Sequence, residues 1–262
     1  MKTEAVYLHD STLRTLNTEI ESCQAISSLS ENEQALAKNV APEHSALTTH
    51  KTIFYPQGGG QPSDIGIIRP VDSESSRFKV SLVRKTREGK ILHFGELIDD
   101  AHSSSPFSAG AAVVQKIDSP TRNYHTRLHS AGHIVGVAMQ LLFPDMKKVK
   151  ANHAPREAAM EYEGLLYNEH KPLIQQKVDE LVRQDLPILI SWSESTDLQT
   201  DDTQDARDGP IRVASIGGLD HNPCGGTHVA STSLVGAITI RKISRQKGVS
   251  RVAYEVPLEE RE

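Results

Sequence analysis

The spacing of hydrophobic residues predicts two helices, both in the second half of the chain. Over residues 119–143 apolar side chains recur three or four positions apart, which is the period of a helix with one buried face. Ser119-Pro120 is a typical helix start, because proline is tolerated in the first turn. A second helix is predicted at about residues 168–185, with one face formed by Leu173, Ile174, Val178, Leu181 and Val182.

Other hydrophobic patterns predict strands. Residues 78–83 alternate apolar and polar side chains, and residues 87–90 form a predicted turn before the apolar segment 91–94. Later β-branched segments predict strands at Ile188–Trp192, Ile211–Ile216, Ile238–Ile243 and Val252–Val256. Polar segments rich in serine, asparagine or acidic residues predict loops at 27–47, 102–108 and 197–208.

These elements predict an α+β protein of two domains. Residues 1–115 contain mainly strands and turns, which we interpret as a small β-barrel-like domain. Residues 116–262 combine two helices with at least four strands, which predicts a two-layer α/β domain with helices on one face of a sheet. A chain of 262 residues is long enough for each domain to bury its own core.

Composition narrows the class of protein. A hydrophobic content of 37% and a charged content of 24% are typical of a globular protein, and no apolar run approaches the roughly 18 residues of a membrane span. The first residues lack the apolar core of a signal peptide, and two cysteines, Cys23 and Cys224, make no disulfide framework. We therefore predict a cytoplasmic protein with no membrane partner. The net charge of −5 argues against a uniformly basic nucleic-acid surface but leaves room for local basic patches.

Two short motifs carry the candidate chemistry. His129 and His133 are four residues apart in the first predicted helix, so both imidazoles lie on one face. Cys224 and His228 have the same spacing, but Pro223 and the two glycines between them predict a turn. Thiolate and imidazole are the ligands that zinc prefers. The sequence predicts one zinc site made by two helix residues and two turn residues; the alternative is that these are ordinary surface or core histidines.

Spacing alone leaves the helical pair open. His125, His129 and His133 lie in one stripe, and eight residues of helix rise about 12 Å, too far for His125 and His133 to share one ion. The pair is therefore His125 with His129 or His129 with His133.

A glycine-rich segment lies in the first half of the chain, at residues 56–62. It is not a phosphate-binding loop, because no Lys-Ser/Thr pair and no clear helix follow Gly58-Gly59-Gly60. No nucleophile elbow is visible, and Ser130 stands where a zinc protease would have its glutamate. From spacing alone, the segment is interpreted as a turn between strands.

Four stretches resemble the AlaX family of free-standing alanyl-tRNA editing proteins, which are related to the editing domain of alanyl-tRNA synthetase. They are Tyr7–Ser11 with Leu13, the glycine-rich segment Thr52–Gly66, the helix residues Asp118, Arg122 and Arg127–His133, and the segment Ile211–Val229. The Cys224–Val229 part is highly specific, whereas two histidines four residues apart would not be. Segments 236–243 and 248–252 are similar to longer members of the family.

The resemblance implies a site and a reaction. It implies that the zinc ligands are His129, His133, Cys224 and His228, which leaves His125 outside the site. It also implies that the glycine-rich segment is a backbone wall for the substrate, with substrate-binding residues Thr52, Gly58, Gly59, Gly60 and Gln61. The implied reaction is hydrolysis of the ester that joins serine or glycine to alanine-specific tRNA. This reaction is chemically reasonable, because a pocket for alanine cannot strongly reject one added hydroxyl or one missing methyl group.

The zinc chemistry leaves two functional classes open. Four protein ligands complete a tetrahedral zinc, the usual pattern of structural sites. Catalysis then needs a weak ligand, a fifth coordination position, or an ion that positions substrate while nearby polar groups orient water; we favour the last and assign no general base. The alternatives to a deacylase are a non-catalytic tRNA-binding or interaction protein with structural zinc and, more distantly, a zinc hydrolase for another ester or amide.

Basic residues near the C-terminus are candidates for tRNA contacts. The segment 241–251 has no acidic residue and contains Arg241, Lys242, Arg245, Lys247 and Arg251. We predict phosphate contacts for these side chains, the alternative being the solvated face of a strand. Lys147, Lys148 and Lys150 are interpreted as a solvated helix end or as a second candidate RNA surface.

Overall fold

The structure is a computed structural model that describes residues 2–73, 75–98, 106–194 and 209–258. It is a mixed α and β protein that contains a closed six-stranded barrel. The chain divides into two compact units: unit 1 comprises residues 1–57 and 63–122, and unit 2 comprises residues 58–62 and 123–262. The assignment of two functional domains divided after residue 115 stays a prediction.

The elements of the described residues follow the chain in order. The helices are α1 (Glu31–Gln34), α2 (Ser119–Leu142) and α3 (Lys171–Arg183). The strands are β1 (Glu4–Ala5), β2 (Thr15–Ala25), β3 (Ser45–Thr49), β4 (Lys51–Thr52), β5 (Gly66–Pro70), β6 (Arg77–Lys85), β7 (Ile91–Ile98), β8 (Ala112–Ile117), β9 (Lys148–Asn152), β10 (Ala159–Glu163), β11 (Ile188–Ser193), β12 (Ile211–Ile216), β13 (Asn222–Pro223), β14 (Thr239–Gln246) and β15 (Val249–Glu255).

Unit 1 is built on the barrel, whose strand order is β2-β3-β7-β6-β5-β8. Strand β2 closes the barrel because it pairs antiparallel with β8 and with β3. The predicted turn between β6 and β7 is present, and Gly89 in it has a φ of 84°, a value that favours glycine. Apolar side chains from the barrel strands fill its interior, among them Ile20, Leu47, Ile68 and Phe78.

A buried ion pair holds the start of α2 within unit 1. Arg122 and Asp64 are each only 1% exposed at the side chain, and Arg122 Nε donates to Asp64 Oδ1 over 2.8 Å. The guanidinium also donates to the carbonyl oxygens of Ser11 and Ile53 at 2.9 and 2.6 Å. The carboxylate in turn accepts from the Tyr55 N–H at 2.6 Å. The charges are buried but hydrogen-bonded on both sides, which is the condition under which a buried pair persists.

Unit 2 contains two sheets, one of order β14-β15-β10-β9 and one of order β11-β12-β13. Residues of α2 and α3 share one core with these strands; it includes Leu128, Val135, Val178, Ile240 and Val252. The predicted apolar stripe of α2 is therefore confirmed. Helix α3 also packs against β14 through Gln175, whose amide bonds the Ile238 carbonyl and the Ile240 N–H at 2.8 and 2.7 Å.

Three details differ from the sequence predictions. Leu173 is not in the core, since 45% of it is exposed; the buried face of α3 is formed by Ile174, Val178 and Leu181. The segment 27–47 is not all loop. It contains α1, whose N-cap Ser30 and Glu33 form a capping box, and the first residues of β3. A helix of four residues is too short for periodicity to reveal, but its capping residues are visible in the sequence.

Two predicted loops fall outside the described residues: 197–208 entirely, and 102–108 for residues 102–105. Among the described residues, no helix combines the length and the hydropathy that crossing a membrane requires.

Candidate metal centre

Four side chains of unit 2 converge to form the candidate centre. One ligand atom from each of His129, His133, Cys224 and His228 lies within 4.8 Å of the others. His129 and His133 are on successive turns of α2, and Cys224 and His228 lie in the turn that follows β13. Cys224 Sγ is 3.5 Å from His129 Nε2 and 3.2 Å from His228 Nε2. His125 is buried on the same helix but lies outside this group.

The donor set and the two sulfur–nitrogen distances fit a zinc ion. Ligand atoms that share a tetrahedral zinc, with bonds of about 2.1 Å to nitrogen and 2.3 Å to sulfur, lie roughly 3.3–3.8 Å apart. The two measured sulfur–nitrogen distances, 3.5 and 3.2 Å, are close to that range. Three imidazole nitrogens and one thiolate are a combination that selects zinc over hard cations such as Mg²⁺.

The environment keeps the imidazoles in the form that binds metals. Desolvation, assisted by His153 and by the Lys148 and Arg212 charges, lowers the pKa of His133 to about 3. Desolvation and neighbouring histidines also hold the pKa of His129 and His228 well below the usual value. Neutral imidazoles offer lone pairs without first losing a proton, so this site is prepared for a cation at neutral pH. His129 and Cys224 are buried, whereas His133 and His228 are partly exposed, so the cluster meets solvent on the side of the latter pair.

Gln61 fixes the orientation of one candidate ligand. Its Oε1 lies 2.5 Å from His129 Nδ1 and also accepts from the Thr227 N–H at 3.1 Å. Because an amide oxygen can only accept, His129 carries its proton on Nδ1, and its Nε2 lone pair faces Cys224 Sγ. The Gln61 amide nitrogen donates to Thr227 Oγ1 at 3.0 Å, so both ends of the amide are held. Gln61 was predicted to bind substrate; that role stays a prediction, and the structure adds the role of holding His129.

The glycine-rich segment forms a tight turn next to the cluster. Gly58 and Gln61 exchange backbone hydrogen bonds of 3.2 and 2.9 Å across Gly59 and Gly60. Gly60 has a φ of 81°, and a Cβ there would lie 2.7 Å from the Ala151 carbonyl oxygen. Only glycine therefore allows this turn to pack against the end of β9. The turn interpretation is correct, and the role of a substrate wall stays a prediction.

His153 and Tyr254 complete the surroundings of His129, and neither was found from the sequence. The His153 ring stacks on His129 with centroids 4.5 Å apart, and its Nδ1 lies 2.5 Å from the Tyr254 hydroxyl. Tyr254 donates onward to the Leu128 carbonyl at 3.2 Å, so His153 Nδ1 is the donor of the pair. Desolvation lowers the pKa of His153 to about 3. No motif marks these residues, because only the tertiary fold brings β15 and the loop after β9 to α2.

Arg212 supports the turn that carries Cys224. It is 2% exposed, and its Nη1 donates to the carbonyl oxygens of Cys224 and Gly226 at 2.6 and 3.0 Å. The turn also needs glycine at position 226, where a Cβ would lie 1.9 Å from His129 Cε1. The shape of the Cys224–His228 turn thus depends on the buried guanidinium of Arg212 and on the absence of a side chain at Gly226.

The remaining predicted site residues are Thr52 and the basic residues near the C-terminus. Thr52 belongs to unit 1 and is fully buried there, with its hydroxyl 2.8 Å from His93 Nε2 and 3.1 Å from Gln115 Oε1. The predicted tRNA-binding residues lie in or beside the β14–β15 hairpin of unit 2. Three of them have contacts within the unit: Arg241 with Glu255, Arg251 with Glu161, and Arg245 over the Tyr167 ring. Lys242 and Lys247 are exposed.

Comparison with known families gives two matches, one in each half of the chain. Residues 211–253 match the model described as the threonyl and alanyl tRNA synthetase second additional domain, and this stretch contains Cys224 and His228. Residues 2–121 match the model of class II (A) tRNA synthetases.

Curated relatives cover most of this chain. Alanyl-tRNA editing protein AlaX-L of Pyrococcus horikoshii is 30% identical over 211 residues, which is 78% of this chain and 49% of that protein. Alanyl-tRNA editing protein Aarsd1 of Mus musculus is 28% identical over 246 residues, 91% of this chain and 54% of that protein. An alanine–tRNA ligase of Methanosphaera stadtmanae is 29% identical over 227 residues, 80% of this chain and 24% of the ligase. The chain thus spans about half the length of the two editing proteins and about a quarter of the ligase.

Proposed function

Since the resemblance to the AlaX family of alanyl-tRNA editing proteins is confirmed, we propose that this chain is a zinc-dependent aminoacyl-tRNA deacylase. In this proposal it hydrolyses the ester of serine or glycine on mischarged alanine-specific tRNA, as a free-standing protein of the cytoplasm. The observation that carries the proposal is the convergence of His129, His133, Cys224 and His228 in segments that resemble the family. The editing role is proposed from the names of the relatives. Serine and glycine are proposed as the amino acids because a pocket for alanine discriminates poorly against both.

The geometry supports a site that is organised before substrate arrives. A zinc ion bound there would supply a Lewis acid for an ester oxygen at the 3′ end of tRNA. Gln61 and His153 hold the His129 ring from two sides, and Arg212 holds the turn of Cys224, so the ligand geometry does not depend on the substrate. The partly exposed side, at His133 and His228, is where an ester would approach. We assign no residue as general base.

A second function, non-catalytic tRNA binding with a structural zinc, is favoured by one observation. All four candidate ligands come from the protein, and such a set closes a tetrahedral zinc. Both functions predict a bound metal and an affinity for tRNA, so metal analysis alone does not separate them. Only the deacylase releases amino acid from charged tRNA, so an assay of that release does separate them.

The deciding experiment is deacylation of a panel of aminoacyl-tRNAs. The purified protein is expected to release amino acid from seryl- or glycyl-tRNA specific for alanine, and to leave correctly charged alanyl-tRNA largely intact. Matched reactions without protein correct for spontaneous hydrolysis of the ester. Binding of tRNA without any release of amino acid would reject the deacylase and support the structural-zinc alternative.

Thr52→Val tests the proposed amino-acid pocket. A substrate-binding hydroxyl at position 52 predicts that the variant changes the ratio of hydrolysis rates for seryl-, glycyl- and alanyl-tRNA. The structure predicts a separate loss of stability, because Thr52 Oγ1 also accepts from the Phe54 N–H at 3.1 Å and contacts His93. Leaving such buried groups without partners costs about 1–3 kcal/mol. Rate ratios and the free energy of unfolding measure the two effects independently, and unchanged ratios would remove Thr52 from the pocket.

A further inference from the structure

An exposed basic edge strand lies in unit 2 beside the candidate centre. Strand β9 pairs with β10 on one side and is the last strand of its sheet. Lys147, Lys148 and Lys150 lie at its start, and all three are exposed. No hydrogen bond or ion pair joins their side chains to any other described residue. These three lysines occupy three of four consecutive positions, in a chain whose net charge is −5.

The other end of β9 reaches the metal centre. His153, the residue after the strand, stacks on His129, and its N–H donates to the Gly60 carbonyl at 2.8 Å. Two residues before His153, the Ala151 carbonyl lies against Gly60, so closely that a Cβ on Gly60 would be 2.7 Å from its oxygen. The backbone therefore leads directly from the lysines to the ring that supports a candidate ligand. From Lys148 to His153 the path is five residues, roughly 16 Å in extended conformation.

Two carboxylates that could neutralise the β9 lysines are bonded to other groups. Asp220 is 8% exposed and accepts hydrogen bonds from the Ile216 N–H and the Asn222 amide. The neighbouring carboxylate Glu161, opposite Lys150, lies 3.9 Å from Arg251 Nε.

Unlike the β9 lysines, two arginines of the β14–β15 hairpin are hydrogen-bonded within unit 2. Arg241 and Arg251 donate to the carbonyl oxygens of Arg156 and Glu157 at 2.7 and 2.6 Å, in addition to their acidic partners. An arginine that binds phosphate must give up or share such contacts, whereas the β9 lysines have none to give up. The hairpin also lies at the opposite edge of the sheet from β9.

We propose that β9 binds the backbone phosphates nearest the aminoacylated 3′ end of the RNA, with Lys148 as the principal contact and Lys150 as the next. This inference rests on the proposed function and adds the surface that would bind the RNA end. The partner is a single-stranded nucleic-acid terminus, because an edge strand with compact ammonium groups recognises phosphate charge and not base identity. In this arrangement the lysines bind the backbone phosphates while the ester lies at His133 and His228.

The experiment compares substrates with and without phosphates. Lys148→Gln is measured on an aminoacylated trinucleotide with the 3′-terminal sequence of tRNA and on the phosphate-free aminoacyl-adenosine ester. We expect kcat/KM to fall about tenfold on the trinucleotide and to stay unchanged on the adenosine ester. The salt dependence on the trinucleotide should flatten by roughly 0.7 in log–log slope. Lys148→Arg, which keeps the charge, should restore most of the rate.

The matched control removes the same type of charge from α3 of the same unit, where the Lys177 ammonium is paired with Glu180. Lys177→Gln should leave the trinucleotide rate unchanged. An unchanged trinucleotide rate in Lys148→Gln would overturn the proposal. So would an equal loss on both substrates, because Lys148 would then act on the metal centre and not on phosphate. A wild-type protein that hydrolyses neither these two substrates nor mischarged tRNA rejects the proposed function instead; in that case the salt slope of trinucleotide binding still tests β9.

Discussion

The Cys224→Ala variant is expected to lose its zinc, from about one ion per chain to almost none. The thiolate is one of four donors whose ligand atoms lie within 4.8 Å of one another, and removal of it leaves three imidazoles without a charge to offset the ion. We expect affinity to fall by more than the roughly 10–100-fold typical of changes to residues that only support a ligand. Metal analysis of the purified protein, together with competition against a chelator, measures the loss.

Stability and activity should fall with the metal. Binding to a site that the unfolded chain lacks contributes to the free energy of folding, so the midpoint of thermal unfolding should decrease in the variant and in chelator-treated wild type alike. Release of amino acid from mischarged tRNA should fall to the level of the reaction without protein.

His125→Ala is the matched control for the ligand assignment. His125 lies one turn before His129 on the same face of α2, and it is buried, yet its ring is outside the cluster. This variant should keep about one zinc per chain, even if the truncated side chain lowers stability. Full zinc retention in Cys224→Ala, or zinc loss in His125→Ala alone, would show that the four residues are not the ligand set.

The candidate ligands could be found from the sequence because each pair is local. His129 and His133 are one helical turn apart, and Cys224 and His228 are only four residues apart in one turn, so each pair is close along the chain. Spacing left His125 as an alternative, and the resemblance removed it. In the structure the ligand atom of His133 lies with those of the other three, and the assignment of the four as zinc ligands stays a prediction.

The residues that support the ligands could not be found in this way. Gln61 is 68 positions from His129, and Tyr254 is 101 positions from His153, so their contacts depend on how sheets and helices pack. A stacked histidine or a buried arginine has no periodic signature. The same limit explains the error at Leu173, which fits the helical period but lies at the border of the buried face of α3.

The strongest test of the packing around the centre is a pair of substitutions one turn apart. Gly132→Ala would place a Cβ 2.3 Å from His153 Cε1 and 2.6 Å from the Tyr254 hydroxyl, distances that no relaxed structure allows. Neither neighbour is a flexible chain end, because both are buried and bonded to each other. The ring of His153 must therefore move off His129. We expect a loss of about 1–3 kcal/mol in the free energy of unfolding, together with weaker zinc binding.

Gly136→Ala is the matched control, and the sign of its effect on stability should be opposite. Outside its own helix, and among the described residues, a Cβ at position 136 would meet Met160 Cε alone, at an ordinary contact distance of 3.8 Å. Alanine is favoured over glycine in a helix interior by about 1 kcal/mol, so this variant should unfold at higher denaturant concentration with unchanged zinc affinity. Denaturant titration and chelator competition on both variants provide the measurement. Equal effects of the two substitutions would mean that His153 and Tyr254 do not pack on Gly132, and that His129 is held without them.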